Sequence, residues 1–570
     1  AGVEPEGGPM RSVAQKTWRP RAGIGVTAVL ALTMAGAGGP ALAGSGGPAL
    51  AGSGGPALAG SGGPALGGGS AVRAASPSWP VAGQNVSDTH DQPDETAISA
   101  GNAGQLTTKW SLTTAGDVTA TPTVTGGVVY FPDMGGMLWA VNAGTGQVIW
   151  SNPVSAYTGI AGDVSRTSPA IAGSELIAGD GWDHNTLTAG AHVFAVDRTT
   201  GKLLWLDSVD SNPTSIITGS PVVSNGVAYV GISSKEEDLA SQPGYKCCTF
   251  RGAVVALNVT TGKMLWKAYM VPSNNGGGDS NKPGYYAGGA VWGSSPVVDP
   301  ATGKLYIGTG NDYQVPTGVC TMPGQKGCKT AIKSDYFDSI MELKISTGAV
   351  VWADRTSVGD AWAGGCTAAT CGPDFDFGSM PNLFTPTGGS QQLLGIGQKS
   401  GIYWAVNPAT GAKVWHTHVG PGGNGGGIEW GSATDGTDVY VAETDSQHKT
   451  YTVGGSGPFK GEKISYGSWA ALDAATGTML WQTPDPQKAT DPGFVTAANG
   501  VVYAGSNATT GDTMYALNAG TGAVLWSFAS GGSVRSGAAI VSGMVYWGSG
   551  YTNAPNDKFY AFGLPSGGRR

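Results

Sequence analysis

Charge is scarce in this sequence. Asp, Glu, Lys and Arg make up 12% of 570 residues, and the formal net charge of −8 is mild and comes with no basic stripe. That argues against a nucleic-acid partner and leaves small molecules and other proteins open. Histidine numbers only six. His416 and His418 alternate on one strand, the ordinary habit of a surface pair, and His90, His184, His192 and His448 suggest no ligand set. No Cys-x-x-Cys-His occurs, so the sequence holds no attachment motif for a covalent c-type haem. After the N-terminal region no apolar run is long enough to span a bilayer.

Glycine is what the sequence has in excess, at 97 residues, yet 18 Trp and an apolar content of 40% exclude disorder over most of the chain. Met10 reads as a start. Arg11, Lys16, Arg19 and Arg21 form a positive region, residues 22–35 an apolar one, and Ala41-Leu42-Ala43 a small-residue cleavage site. This predicts an export signal over 1–43 and a secreted, periplasmic or cell-surface protein with no membrane span after its removal. Near-copies of Gly-Gly-Pro-Ala-Leu then give a low-complexity spacer over 44–80. The six cysteines fall into close pairs, 247 with 248, 320 with 328 and 366 with 371. In an oxidising compartment they predict three local disulfides; a zinc site is the rival, but no His stands at ligand spacing.

A repeat organises residues 81–565. Leu138 to Trp150 reads as a strand, a tight turn at Thr145-Gly146 and a second strand ending in Trp. The pattern returns at 194–205, 254–266, 340–352, 404–415, 469–481 and 514–526. A second hairpin precedes several copies, as at 119–130, and two hairpins make a four-stranded blade. Lys558 to Gly563 lacks a following strand and Leu106 to Trp110 lacks a preceding one. Together they complete an eighth blade and close the ring, which removes exposed edges. The fold expected is therefore all-β, an eight-bladed propeller. Its Trp residues (110, 150, 205, 266, 352, 415, 481 and 526) are expected to plug gaps between blades. Insertions fall at about 232–250, 312–335, 353–378 and 444–467.

The repeat resembles the tryptophan-docking repeat of the pyrroloquinoline quinone dehydrogenases over roughly 95–563. Cys247 to Leu257, Gly289-Ala290-Val291-Trp292, Gly308-Thr309-Gly310-Asn311, Gly372 to Gly378 and Gly397 to Gly401 are most similar to the polyvinyl alcohol dehydrogenases, and more distantly to methanol and ethanol dehydrogenases. The resemblance implies an alcohol dehydrogenase that passes hydride to metal-bound quinone, with a secondary alcohol as substrate, polyvinyl alcohol among them, and an external electron acceptor such as a cytochrome c. A propeller that only binds or scaffolds other proteins outside the cytoplasm is the alternative, because fold does not fix function.

The resemblance also assigns roles. Glu236, with Glu237 beside it as the alternative, Asn311 and Asp374 stand where the family binds its metal, and a hard cation suits their oxygens. Asp376 stands where lanthanide-using relatives carry an added carboxylate, so Ca²⁺ and a lanthanide are both open. Asp374 is the implied general base. Trp292 is the implied stacking face for the quinone, and the adjacent Cys247 and Cys248 the cover of its other face. Arg166, Thr218, Lys399 and Arg535 would serve the carboxylates and carbonyls of the cofactor, with Lys399 beside the reactive carbonyl. Trp430, after Glu429, is expected near the axis.

Overall fold

Short runs of alternating apolar residues joined by Thr-Gly and Ser-Gly turns fold as antiparallel hairpins, and the hairpins pair into four-stranded blades. The computed structural model describes residues 77–181, 190–274, 278–293, 295–367, 370–552 and 554–565. The chain divides into a unit of residues 1–73, outside the described residues, and one of 74–570. The expected export signal, most of the expected spacer and His184 also lie outside the described residues.

In blade 1 the strands Thr123–Thr125, Val128–Pro132, Met137–Asn142 and Val148–Pro153 lie side by side in chain order. Thr123 faces Tyr130, Tyr130 faces Ala140, and Ala140 faces Trp150. The same order repeats in the blades that open at Ala170, Val222, Val297, Asn382, Ala433 and Val495. Blade 8 is shared between the chain ends. Ala539–Val541, Met544–Tyr551 and Ala554–Gly563 supply three strands, and Thr107–Thr113 pairs antiparallel with the last of them. The ring is thus closed by main-chain hydrogen bonds between its two ends, as expected. First strands are buried and fourth strands half-exposed, so the first strands line the axis.

Each fourth strand carries a bulge just before its Trp: Ala140 faces Trp150, but Val141 faces Val148. A bulge re-aims the next side chain, and here it sends the indole across to the following blade. Trp150 donates Nε1–H to the Arg198 carbonyl at 3.0 Å, Trp205 to Val259 at 2.7 Å and Trp481 to Ala519 at 2.7 Å. Across the ring closure, Trp526 donates to Leu106 at 3.0 Å. The ring lies on the turn glycine of the receiving blade. At Gly522 the backbone has φ +70°, and a Cβ would stand 2.5 Å from Trp481 Cε3, so the turn needs glycine twice over.

One element carries no repeat signal. Residues 79–92 cross the axial ends of the first strands. The Trp79 and Val124 amides and carbonyls pair at 2.8 Å. Ile171, Val298, Leu383 and Thr434 donate to the carbonyls of Pro80, Val86, Ser87 and Thr89, each at 2.9 Å. Gln92 N–H donates to Ala497 O, and its side-chain amide to Ile540 O. Val86 packs on the cluster that contains Val222. This segment therefore bonds the innermost strands of seven blades and plugs one end of the axis. Packing is already complete at Trp79, which is fully buried.

Candidate active site

The loops that enter the first strands, and those that leave the second strands, converge at the axis opposite the plug. They enclose a cavity of about 250 Å³ lined by Arg166, Thr218, Trp292, Asp374, Asp376, Lys399 and Glu429, with Glu237, Tyr313 and Trp362 on its wall. A narrow slit of about 20 Å³ continues beneath it between Trp292 and Trp430, past Arg166 and Thr218. Trp430 closes the slit: it packs with Ala82 of the plug, Met380 and Phe494.

Trp292 is held in place at three points. Its Nε1–H donates to Asp376 Oδ2 at 2.8 Å, its carbonyl accepts from Thr218 Oγ1 at 2.6 Å, and the Lys399 ammonium lies 5.1 Å from its ring. Gly378 lets the ring approach, because a Cβ there would overlap the indole edge. The Asp376 carboxylate also accepts the Asn311 backbone N–H at 2.5 Å. Lys399 Nζ bridges Asp374 Oδ1 at 2.9 Å and Asp376 Oδ2 at 3.0 Å. Asp374 sits at φ +62°, and Asp360 holds that conformation by accepting the N–H groups of Asp374 and Phe375 at 3.0 and 2.7 Å.

These groups are deeply buried. Burial pushes the Asp374 carboxyl up, against the pull of Lys399, and pushes Glu237 up with the help of the Asp374 charge. Burial also raises Glu429, and takes Asp360 up to about 6. Burial works against the Lys399 charge, but Asp374, Asp376, Glu237 and Glu429 together hold its ammonium above the ordinary range. Acid outnumbers base around this cavity, the electrostatic condition that favours a cation.

The expected metal ligands are placed unequally. Asn311 donates both amide protons, to the Asp312 and Trp362 carbonyls at 2.7 Å each, and its Oδ1 is buried without a partner. An amide oxygen held open in this way fits a cation. Neither Asn311 nor Glu236 lines the cavity, and Glu236, unlike Asn311, has its oxygens engaged. Its carboxylate accepts from Tyr245 Oη at 2.8 Å, from the N–H and hydroxyl of Thr249 at 2.8 and 3.0 Å, and from Phe250 N–H at 2.6 Å. Glu237 lines it instead. Consecutive residues on the short helix Glu236–Leu239 point about 100° apart, so one carboxylate secures the following loop and the next faces the cavity. Among the described residues no three Asp, Glu, His or Cys side chains are grouped to hold a metal by themselves; Lys399 stands between Asp374 and Asp376. The donor set becomes adequate once the Asn311 amide is counted with Glu237 and the two aspartates.

Other expectations shift in detail. Arg166 lies with its guanidinium 4.7 Å from the Trp430 ring, inside both spaces. Arg535 does not line the cavity; it stacks 3.7 Å from the Tyr551 ring, 5.7 Å from Trp430, and bonds Asn507. The three expected disulfides form. Cys247–Cys248 does not line the cavity: Cys248 is buried with its N–H on Gln314 Oε1, and Cys247 opens onto a neighbouring groove across Tyr313. Tyr313, Trp362 and Asp360 were not legible as site residues, because all three lie in insertions outside the repeat. Among the described residues no helix is long and apolar enough to cross a membrane.

A family profile described as outer membrane protein assembly factor BamB matches residues 60–246 and 466–565. A polyvinylalcohol dehydrogenase from a Pseudomonas species is 32% identical over 83% of this chain and 73% of its own length. Another from Sphingopyxis sp. strain 113P3 is 32% identical over 81% and 71%. A solved quinohemoprotein alcohol dehydrogenase from Pseudomonas putida HK5 superposes with a TM-score of 0.64 at 19% identity, over 85% of this chain and 80% of that one, which shows the shared propeller. Both of these relatives are named as dehydrogenases, which speaks for an enzyme over the scaffold alternative. With that similarity across the whole ring, the chain belongs to the pyrroloquinoline quinone-dependent dehydrogenase family, alongside the polyvinyl alcohol dehydrogenases.

Proposed function

We propose that the protein oxidises a secondary alcohol outside the cytoplasm, using pyrroloquinoline quinone and Ca²⁺ or a lanthanide held in the 250 Å³ cavity. The observation that carries this is the buried, partnerless Oδ1 of Asn311, a residue whose backbone N–H donates to Asp376, one of the four carboxylates around Lys399. When bound, the quinone supplies the hydride acceptor and the cation the Lewis acid that polarises it. Glu237, Asn311, Asp374 and Asp376 would supply oxygens to the cation. Glu237 takes the role first expected of Glu236. Trp292 offers a flat face fixed by Asp376 and Thr218. Arg166, Thr218 and Lys399 would answer the negative charge of a tricarboxylate ligand, and the Trp430 ring carries the Arg166 guanidinium.

Asp374 is the base. Lys399 engages its Oδ1, which leaves the other oxygen to take the proton of a substrate hydroxyl. Burial raises that carboxyl, and the ammonium opposes the rise. The walls of Tyr313 and Trp362 exclude water from the reacting carbon. The names of the relatives point to polyvinyl alcohol as one substrate. In this reading the electrons pass on to an acceptor such as a cytochrome c.

Reconstitution with the quinone plus Ca²⁺ or La³⁺, followed by dye reduction with propan-2-ol, tests the reading. Turnover is expected with at least one cation. Asp374→Asn is expected to lower kcat by about 10²–10⁴-fold, with the far-ultraviolet circular dichroism and the bound quinone absorbance unchanged. Absence of both turnover and retained quinone with either cation sinks the proposal.

A further inference from the structure

The wall of the cavity is one residue thick where the chain passes from 361 to 363. Trp362 faces the cavity, while Ala361 and Ala363 face a second space of about 370 Å³ on the other side. Tyr313 lines both. We propose that this groove is a subsite for the part of a long, neutral, hydroxylated substrate that extends beyond the reacting carbon. The inference rests on the alcohol oxidation proposed above and deepens it.

Three observations favour this occupant. The first is space. A planar cofactor with three carboxylates fills most of a 250 Å³ cavity, so little beyond the reacting carbon and its neighbours fits there, and the next open volume lies across Tyr313. The second is chemistry. None of the twelve residues lining the groove carries a charge. That disfavours an ionic ligand or a charged protein surface. Ala240, Val315, Ala361 and Ala363 offer carbon, and Gln314 and Thr321 offer polar groups at intervals. This suits a chain that alternates CH₂ with C–OH. The third is rigidity. The groove is built from three insertions that main-chain bonds tie together: Ala361 N–H to Thr321 O at 3.0 Å, Trp362 N–H to Asp312 O at 2.8 Å, and Gly364 N–H to Glu237 O at 2.8 Å. Disulfides Cys320–Cys328 and Cys366–Cys371 close two of those loops. A preformed groove loses little entropy on binding. The last of those bonds also links the groove to the backbone of a cavity residue.

Thr321 is half-exposed on its loop, and its side chain bonds only the nearby Gln325. Thr321→Trp fills the groove without touching the catalytic groups. The probe is a fluorescently labelled 1,3-polyol oligomer, with binding to the full-length chain read by anisotropy and turnover compared with propan-2-ol on the reconstituted enzyme. The expected result is that Thr321→Trp weakens oligomer binding and raises its KM at least tenfold, with kcat unchanged and propan-2-ol kcat/KM within twofold. Thr370→Trp, which enters the same groove from the 353–378 insertion, is expected to reproduce the pattern and guards against a local folding fault. Equal binding of the oligomer by wild type and both variants, no binding by wild type, or a parallel loss with propan-2-ol overturns the subsite. If the oligomer binds and both variants weaken it while neither alcohol is oxidised, the groove stands and the oxidoreductase reading fails.

Discussion

Two neighbouring glutamates illustrate how little separates a structural carboxylate from a functional one. Glu236 is fully buried and satisfied by the loop that carries Cys247 and Cys248. Glu237 faces Asp374, Asp376 and Lys399, and burial raises it. Their substitutions should therefore diverge. Glu236→Gln exchanges charge-assisted bonds for weaker ones and leaves a donor facing donors, which costs about 1–3 kcal/mol. It should lower the thermal midpoint and leave cation affinity within twofold. Glu237→Gln should leave the midpoint unchanged or higher and weaken Ca²⁺ or La³⁺ binding by about tenfold or more, since it removes an anionic oxygen from a hard-cation site. Calorimetric titration of each variant in the presence of the quinone measures both effects, and a reversed pattern would return the ligand role to Glu236. Asp360 belongs to the same scale. It contacts no substrate, yet it fixes the positive φ of the proposed base through two backbone bonds.

At the level of the blade, the unit of stability is the indole of one sheet lying on the turn of the next. The hydrogen bond to a carbonyl fixes its direction, the bulge aims it, and glycine makes room. Gly522→Ala tests this with a single added methyl. The new methyl meets Trp481 and Thr483, and the backbone must hold φ +70° with a Cβ present. A cost of about 1–3 kcal/mol is expected, read as a lower denaturant midpoint with an unchanged slope. An unchanged midpoint would mean that the blade contact is looser than the geometry indicates. The plug at 79–92 acts at this level too. It binds first strands through their main chain, so its residues follow no repeat and leave no periodic trace in the sequence.

Across the whole molecule, buried carboxyls dominate the response to pH. Asp163 packs beside Asp180 and His192 and accepts the Thr158 hydroxyl at 2.7 Å; burial, then the Asp180 charge, take it up to about 7. A folded-state value above the unfolded one means the native protein keeps a proton that the unfolded chain releases near pH 4. This contribution is full below about pH 4 and is lost as pH rises through about 7. Asp360, at about 6, acts in the same direction. The thermal midpoint should accordingly fall between pH 5 and 7.5 under cation-free conditions. Asp163→Asn, which cannot ionise and still meets Thr158, should flatten that slope by a few °C. An identical slope in the variant would remove Asp163 from the account.

The eight blades, the closure between chain ends and the role of the tryptophans were fixed by local pattern. Strand alternation, turn glycines and the spacing of the hairpins are properties of neighbouring residues, and repetition makes them legible. Trp292, Asp374, Asp376 and Lys399, which line the cavity, could be anticipated by resemblance, because their motifs border the repeats. The rest needed three dimensions. Which of Glu236 and Glu237 faces the cavity follows from the turn of one short helix. The retreat of Cys247 and Cys248 to a neighbouring groove follows from a loop anchored on Glu236 and Gln314. Tyr313, Trp362 and the groove behind them arise only where insertions from separate blades meet, and such meetings are set by the packing of the ring rather than by any run of adjacent residues.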